Sequence, residues 1–291
     1  MPRKIRFWRT VGDSYGFVFG DWGRLFRHSA AWVALGAVIA VAAMILFGPE
    51  VLNKPQSPAL LLSTGRAVTT VALGVFQIAS YVAFSVGWHR AVLLGDGHAT
   101  ALDALRFKRR EFRFLLYIIA VGLVWIGVAL AGSIIVFALT AAATSGQSIL
   151  HSFEGKPSGG FAIAVAALFL GVFVALPFLA RLTLGLPAIA VEEPRGVFGR
   201  SWHRGWGNGW RLIWGPVFCS LPLNIVAGLF SAGQVFFVLV ADYDPPWREF
   251  GLVGTIAFYV LGSFAHFIAL AGAISFLSLS YRQLSAGEVE T

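Results

Sequence analysis

An all-α, polytopic membrane protein with six transmembrane helices is the fold this sequence predicts, and three observations predict it. Charged residues make up 12% of the chain and apolar residues 57%, where soluble domains carry about 25% charged residues. Six windows, 28–49, 67–89, 114–153, 157–180, 212–241 and 250–281, contain no Asp, Glu, Lys or Arg. Each can hold the roughly 20 residues that a helix needs to cross the hydrocarbon core. The basic residues then fall into alternate connections. Of the 22 Lys and Arg, 18 lie in 1–29, 90–113, 181–211 and the tail after 281, and four lie in the segments between. Cytoplasmic loops carry such an excess, so both termini are expected in the cytoplasm. A net charge of +8 would suggest nucleic acid for a soluble domain. Sorted onto one side of a membrane it suggests phospholipid instead, and no nucleic-acid partner is expected. A single membrane domain over 1–291 follows.

Residues 5–26 read as an amphipathic helix lying on the membrane. Trp8, Val11, Tyr15, Val18, Trp22 and Leu25 recur at three- and four-residue steps, which marks one helical face. Gly12, Gly16 and Gly20 share another face, either for close packing against a second helix or as plain looseness. No short apolar region with a cleavage site opens the chain, so the start reads as uncleaved.

Span one covers 30–47 and stops at Gly48-Pro49, and span two covers 67–87 and runs into Trp88-His89-Arg90. The next connection holds Thr100 and Asp103 as a capping-box-like helix start, followed by five basic residues from Arg106 to Arg113. Span three is 114–139, and the Thr-, Ser-, Gln- and Gly-rich stretch after it reads as a loop. Span four follows Pro157 and carries Pro177 near its cytoplasmic end. The apolar stretch 182–191 is expected to break at Pro187, as an extension of that span or as a segment in the headgroup layer. Residues 198–214 pack four tryptophans and three arginines ahead of span five, which contains Pro222 and Asn224. An outer turn at 242–247 leads to span six, which ends at Arg282. The single cysteine, Cys219, can form no internal disulfide and reads as a buried small hydrophobe.

A threefold repeat, about 5–98, 99–195 and 196–285, emerges from arginine spacing. Each pair of spans begins after a basic-aromatic segment, W-G-R-L-F at 22–26, E-F-R-F-L at 111–115 and G-W-R-L-I at 209–213, and ends at Arg90, Arg181 or Arg282. The two arginines of each unit are 66, 68 and 71 residues apart. Three two-span hairpins, each preceded by a cytoplasmic interfacial helix, would give this spacing.

The same repeat nominates a headgroup site. Arginine binds phosphate as a charged fork, and Trp and His rings suit the membrane–water boundary. The candidates are Trp88, His89 and Arg90 after span two, Arg109 and Arg113 before span three, and Arg181 after span four. Ser201, Trp202, Asn208, Trp210 and Arg211 precede span five, and Arg282 follows span six. Inside the spans, ionisable residues mark transport paths, and only His266 qualifies; Gln77, Asn224 and Gln234 are its candidate polar partners.

Chemistry beyond this is sparse. His89, Asp96 and His98 lack the spacing of zinc-ligand pairs on a helix, and the Gly-rich 205–209 run lacks the Lys-Ser/Thr of a phosphate loop. No metal, cofactor or catalytic residue is expected. An intramembrane enzyme would have to work with His89, Asp96, His98 and His203.

R-L-T-L-G-L-P-A at 181–188, S-W at 201–202 and G-N-G-W-R-L at 207–212 resemble a large group of bacterial six-span proteins without assigned activity. That group is similar to the membrane domain of glycerophosphoryl diester phosphodiesterases. The resemblance covers about 30 residues and implies a helical-hairpin membrane domain in the inner membrane. It carries over no activity, because the soluble barrel is absent. The expected function is therefore a non-enzymatic multi-pass protein that binds anionic phospholipid headgroups, with a protein partner or a second copy at the cytoplasmic face. The alternative is a transporter or lipid-translocating permease, which requires a polar cavity in mid-membrane holding Asn224 and His266.

Overall fold

The computed structural model describes residues 4–47, 64–95, 107–143, 159–193, 196–241 and 245–286. Every regular element among them is helical: α1 (Phe7–Gly20), α2 (Trp22–Phe47), α3 (Thr64–Leu94), α4 (Arg109–Ala143) and α5 (Gly159–Leu179). A 3₁₀ turn (Ala180–Leu184) follows, then α6 (Gly185–Ala190), α7 (Val197–Arg204), α8 (Gly209–Ala241) and α9 (Pro245–Ser285). Six stretches, Trp22–Ala43, Val71–Leu94, Arg109–Val136, Phe169–Ala190, Gly209–Val240 and Glu249–Ser285, are long and apolar enough to cross a membrane. The chain is a multi-pass α-helical membrane protein. The capping box at Thr100 and the outer turn at 242–244 lie outside the described residues.

The helix expected over 5–26 is two helices. Asp21 breaks it: its Oδ1 accepts the Arg24 N–H at 2.9 Å, the bond by which an N-cap aspartate starts a helix, and α2 begins at Trp22. Val11 of α1 is buried in a cluster with residues of α8 and α9, and Val18 in one with residues of α2, α3 and α9. Gly12, Gly16 and Gly20 are not closely packed against another described helix, since among the described residues a Cβ on any of them would meet nothing within 4 Å. Near the start of α4, Glu111 Oε2 accepts the Lys108 N–H at 2.8 Å, the return half of a capping box.

The break expected at Pro187 is displaced. Helix α5 passes through Pro177 and gives way to the 3₁₀ turn at Ala180. Pro187 then sits in the first turn of α6, where a helix has no use for the missing N–H.

Helix α9 is the centre of the bundle, with α8, α3, α1 and α2 against it. It runs antiparallel to α8 in one register. Gly215 faces Phe276, Cys219 faces Gly272, Gly233 faces Phe258 and Phe237 faces Gly254. At Gly272 a Cβ would stand 2.6 Å from the Cys219 carbonyl oxygen. Only glycine permits so close a backbone approach, which is how helices associate where lipid removes the hydrophobic drive. Cys219 is itself buried. Pro222 cannot donate to the carbonyl one turn back. That carbonyl, on Phe218, instead accepts the Tyr15 hydroxyl of α1 at 2.7 Å.

Candidate functional site

At the arginine-rich end of the bundle, three arginines hold backbone carbonyls. Arg90 Nη1 donates to Ala190 O at 3.2 Å, and Arg282 Nη2 donates to Val92 O and, at 3.3 Å, to Leu93 O. These carbonyls end α6 and α3, where helices have unsatisfied acceptors and a negative dipole end. Arg211 Nη1 donates to Ile5 O at 3.0 Å, while Asn208 Oδ1 accepts the Ile5 N–H at 2.9 Å. The 208–211 segment thus clamps the start of the chain.

Arg181 departs from this pattern. It is 6% exposed and lies among Phe178, Trp202 and Trp206, whose ring centroids are 4.9, 5.2 and 4.5 Å from its guanidinium carbon. Its Nε and Nη1 are buried without a hydrogen-bond partner among the described residues. The cover is one ring thick, since Trp206 is itself 54% exposed.

Five headgroup candidates are corrected by burial: Arg181 and four whose polar atoms are held inside the fold. Trp88 is fully buried; its ring stacks on Phe84 at 5.6 Å, and its Nε1 donates to Ser275 Oγ at 2.9 Å. His89 is buried with Nδ1 2.7 Å from Ser278 Oγ. Ser201 donates to Val197 O at 2.7 Å, and Asn208 donates to Trp206 O at 3.2 Å. Both are buried, so none of the four presents a surface to a headgroup. Trp202 is half-buried beside Arg181, and Trp210 is exposed with its ring 4.8 Å from Phe173. Arg109 and Arg113 are exposed.

The intramembrane candidates divide differently. Asn224 and His266 line one cavity of about 470 Å³, together with Tyr81, Ser85 and Ser220 among apolar residues of α3, α4, α8 and α9. That size lies within the range of ligand sites. Asn224 is thirteen residues from Arg211 and His266 sixteen from Arg282. At 1.5 Å per residue this is about 20 and 24 Å, against a hydrocarbon core about 30 Å thick. Ile78 and Ile118 in its wall are 53% and 41% exposed, so the cavity opens sideways between helices. His266 Nδ1 is 2.8 Å from Gly262 O. A carbonyl only accepts, so Nδ1 donates and Nε2 is left for another partner. Gln77 hydrogen-bonds Tyr81 at the cavity wall. Gln234 is half-buried and lies ten residues beyond Asn224, outside the cavity.

Among the described residues no three His, Cys, Asp or Glu side chains come together as a metal group. Compared with family models, curated proteins and solved structures, the chain matches none. Sequence reading missed Tyr81, Ser85 and Ser220, since Ser and Tyr are common in spans and carry no charge signal. It also missed Glu192 and Glu193, the one acidic pair in a segment counted only for its arginines.

Proposed function

We propose that the chain is a non-enzymatic inner-membrane protein that admits a lipid from the bilayer into the groove between α3, α4, α8 and α9 and moves it across. One observation carries this reading: Asn224 and His266, about 20 and 24 Å along their helices from Arg211 and Arg282, line the same sideways-opening cavity. The lining is mostly apolar, which suits an amphiphile better than a hydrophilic solute. The few polar groups give a headgroup hydrogen bonds along the way. Pro216 and Pro222 each remove an N–H donor from α8 beside the cavity, although the helix runs unbroken from Gly209 to Ala241. In this reading the arginine-rich end faces the cytoplasm with both termini. The six spans form three hairpins, with α1 and α7 as interfacial helices before the first and third. The likeness to the phosphodiesterase membrane domain fits the same arrangement.

The test is dithionite quenching of fluorescent phospholipid in vesicles carrying the purified chain. Wild type should expose inner-leaflet lipid within the assay. Asn224→Leu with His266→Leu should slow this about tenfold, the effect of removing one to two kcal/mol of polar contact. Vesicles that behave like protein-free ones, or a double variant as fast as wild type, would overturn the reading.

A further inference from the structure

A second cavity, of about 380 Å³, lies at the arginine-rich end of the bundle. Its walls are Arg113, Leu116 and Tyr117 of α4, Ile189 of α6, the turn at Glu192 and Glu193, and Gly196 and Val197 ahead of and within α7. Leu115 and Ile118 line the groove between α3, α4, α8 and α9. At 3.6 residues per turn they fall on the other side of α4 from Arg113, Leu116 and Tyr117, so the two cavities are separate.

The three charged residues of this cavity are not equivalent. Glu193 is committed to the fold: its carboxylate holds Arg204 at 3.0 Å and Arg200 at 3.3 Å and accepts the Tyr281 hydroxyl. Arg113 and Glu192 are exposed, and neither side chain has an ion pair or hydrogen bond among the described residues. Among the described residues, then, one positive and one negative group in the cavity lining are unspent.

The backbone at Glu192 points the same way. Helix α6 ends in a Schellman turn, with Glu192 N–H on Ile189 O at 3.0 Å and Glu193 N–H on Ala188 O at 2.9 Å. Glu192 occupies its left-handed position with φ of 60°. Glycine is the usual residue there because any side chain is strained. A glutamate in that place supplies a carboxylate that the turn itself does not need.

We infer that this cavity binds the headgroup of a zwitterionic phospholipid bearing a primary ammonium, with Arg113 on the phosphate and Glu192 on the ammonium. An arginine alone would accept any phospholipid. A carboxylate lining the same cavity disfavours a headgroup of net negative charge and favours a cation with N–H donors, of which a primary ammonium has three and a quaternary one none. Leu116, Ile189 and Val197 suit the glycerol and first methylenes. From Leu116 an apolar stripe continues along the same face of α4 through Leu123 and Leu130, which are 62% and 58% exposed, a path for the acyl chains.

This inference is independent of the translocation reading, and its test keeps them apart. Native mass spectrometry would count lipids on the full chain released from vesicles of equal phosphatidylethanolamine, phosphatidylcholine and phosphatidylglycerol. The ethanolamine lipid should dominate. Glu192→Gln should lower its ratio to phosphatidylglycerol about tenfold, the loss of one charged hydrogen bond, and Arg113→Gln should reduce all three. Glu192→Gly removes the carboxylate while relaxing the turn; it should melt no lower than wild type and show the same loss of preference. Asn224→Leu with His266→Leu should leave the preference intact. Equal retention of the three lipids, dominance of another lipid, or a preference that survives both Glu192 variants would overturn the assignment.

Discussion

Helices α9 and α4 are both long and apolar enough to cross a membrane, and their situations are opposite. Within the spanning stretch of α9, an 18-residue apolar window is 56% buried, against 6% for the corresponding window of α4. Their surfaces differ in kind as well as in hydrophobicity, α4 being the more apolar. Helix α9 meets its neighbours through Ala265, Ala269, Ala271, Gly272, Ser275 and Ser278, all buried. Helix α4 shows Leu123, Ile126, Leu130 and Ile134 outward, each more than half exposed. In water, apolar residues go inside. In lipid, tails are as apolar as leucine, so small and weakly polar residues mark the helix contacts. The two cavities border α4 for the same reason: only α3, α5 and α6 pack substantially against it, which leaves space on both sides.

The strongest way to break this contrast is to enlarge α9 where α8 approaches it most closely. Gly272→Val would push a branched side chain against the Cys219 carbonyl, 2.6 Å from an added Cβ. Backbone cannot step aside as a side-chain tip can. Overpacking of this sort costs about 1–3 kcal/mol, sometimes more. The expected result in a detergent or SDS unfolding titration is a loss at the upper end of that range. A loss under about 1 kcal/mol would mean that the α8–α9 contact is looser than its register implies.

A smaller effect tests whether the polar contacts of α9 hold it in place. Ser275→Ala removes the acceptor of the Trp88 indole N–H. Interhelical hydrogen bonds in membranes contribute about 0.6–2 kcal/mol, and the same titration should show a loss in that range. A serine-to-alanine change with no loss would show that the indole finds another acceptor and that ring stacking on Phe84 alone positions Trp88.

The contrast also explains how much could be read in advance. Six spans were legible because a backbone in hydrocarbon must satisfy its own polar groups as a helix, and uncharged windows of sufficient length report that directly. Asn224 and His266 were legible as polar residues in apolar windows. The partition of Trp88-His89-Arg90 was not, because tryptophan and histidine suit both a membrane boundary and a polar contact inside a bundle. The clue was on another helix: Ser275 and Ser278, one turn apart on α9, are the partners of Trp88 and His89. Asp21 stood in plain sight as an N-cap, but the apolar period running through Trp22 and Leu25 concealed the helix break. Glu192 needed the turn geometry, since nothing in the letters V-E-E-P shows which glutamate occupies a left-handed residue.

The smallest effect sharpens the comparison from the other side. Leu123→Ala on α4 deletes a large side chain that is 62% exposed. In a soluble core the same change would cost about 2–5 kcal/mol through lost transfer energy and a cavity. Here lipid fills whatever space the side chain vacates, and tail meets alanine about as favourably as it met leucine. The expected shift is within about 0.5 kcal/mol, the range of surface changes. A loss above about 2 kcal/mol would mean that this face of α4 is covered by protein, most simply a second copy of the chain, and the exposed stripe below Arg113 would then be an interface.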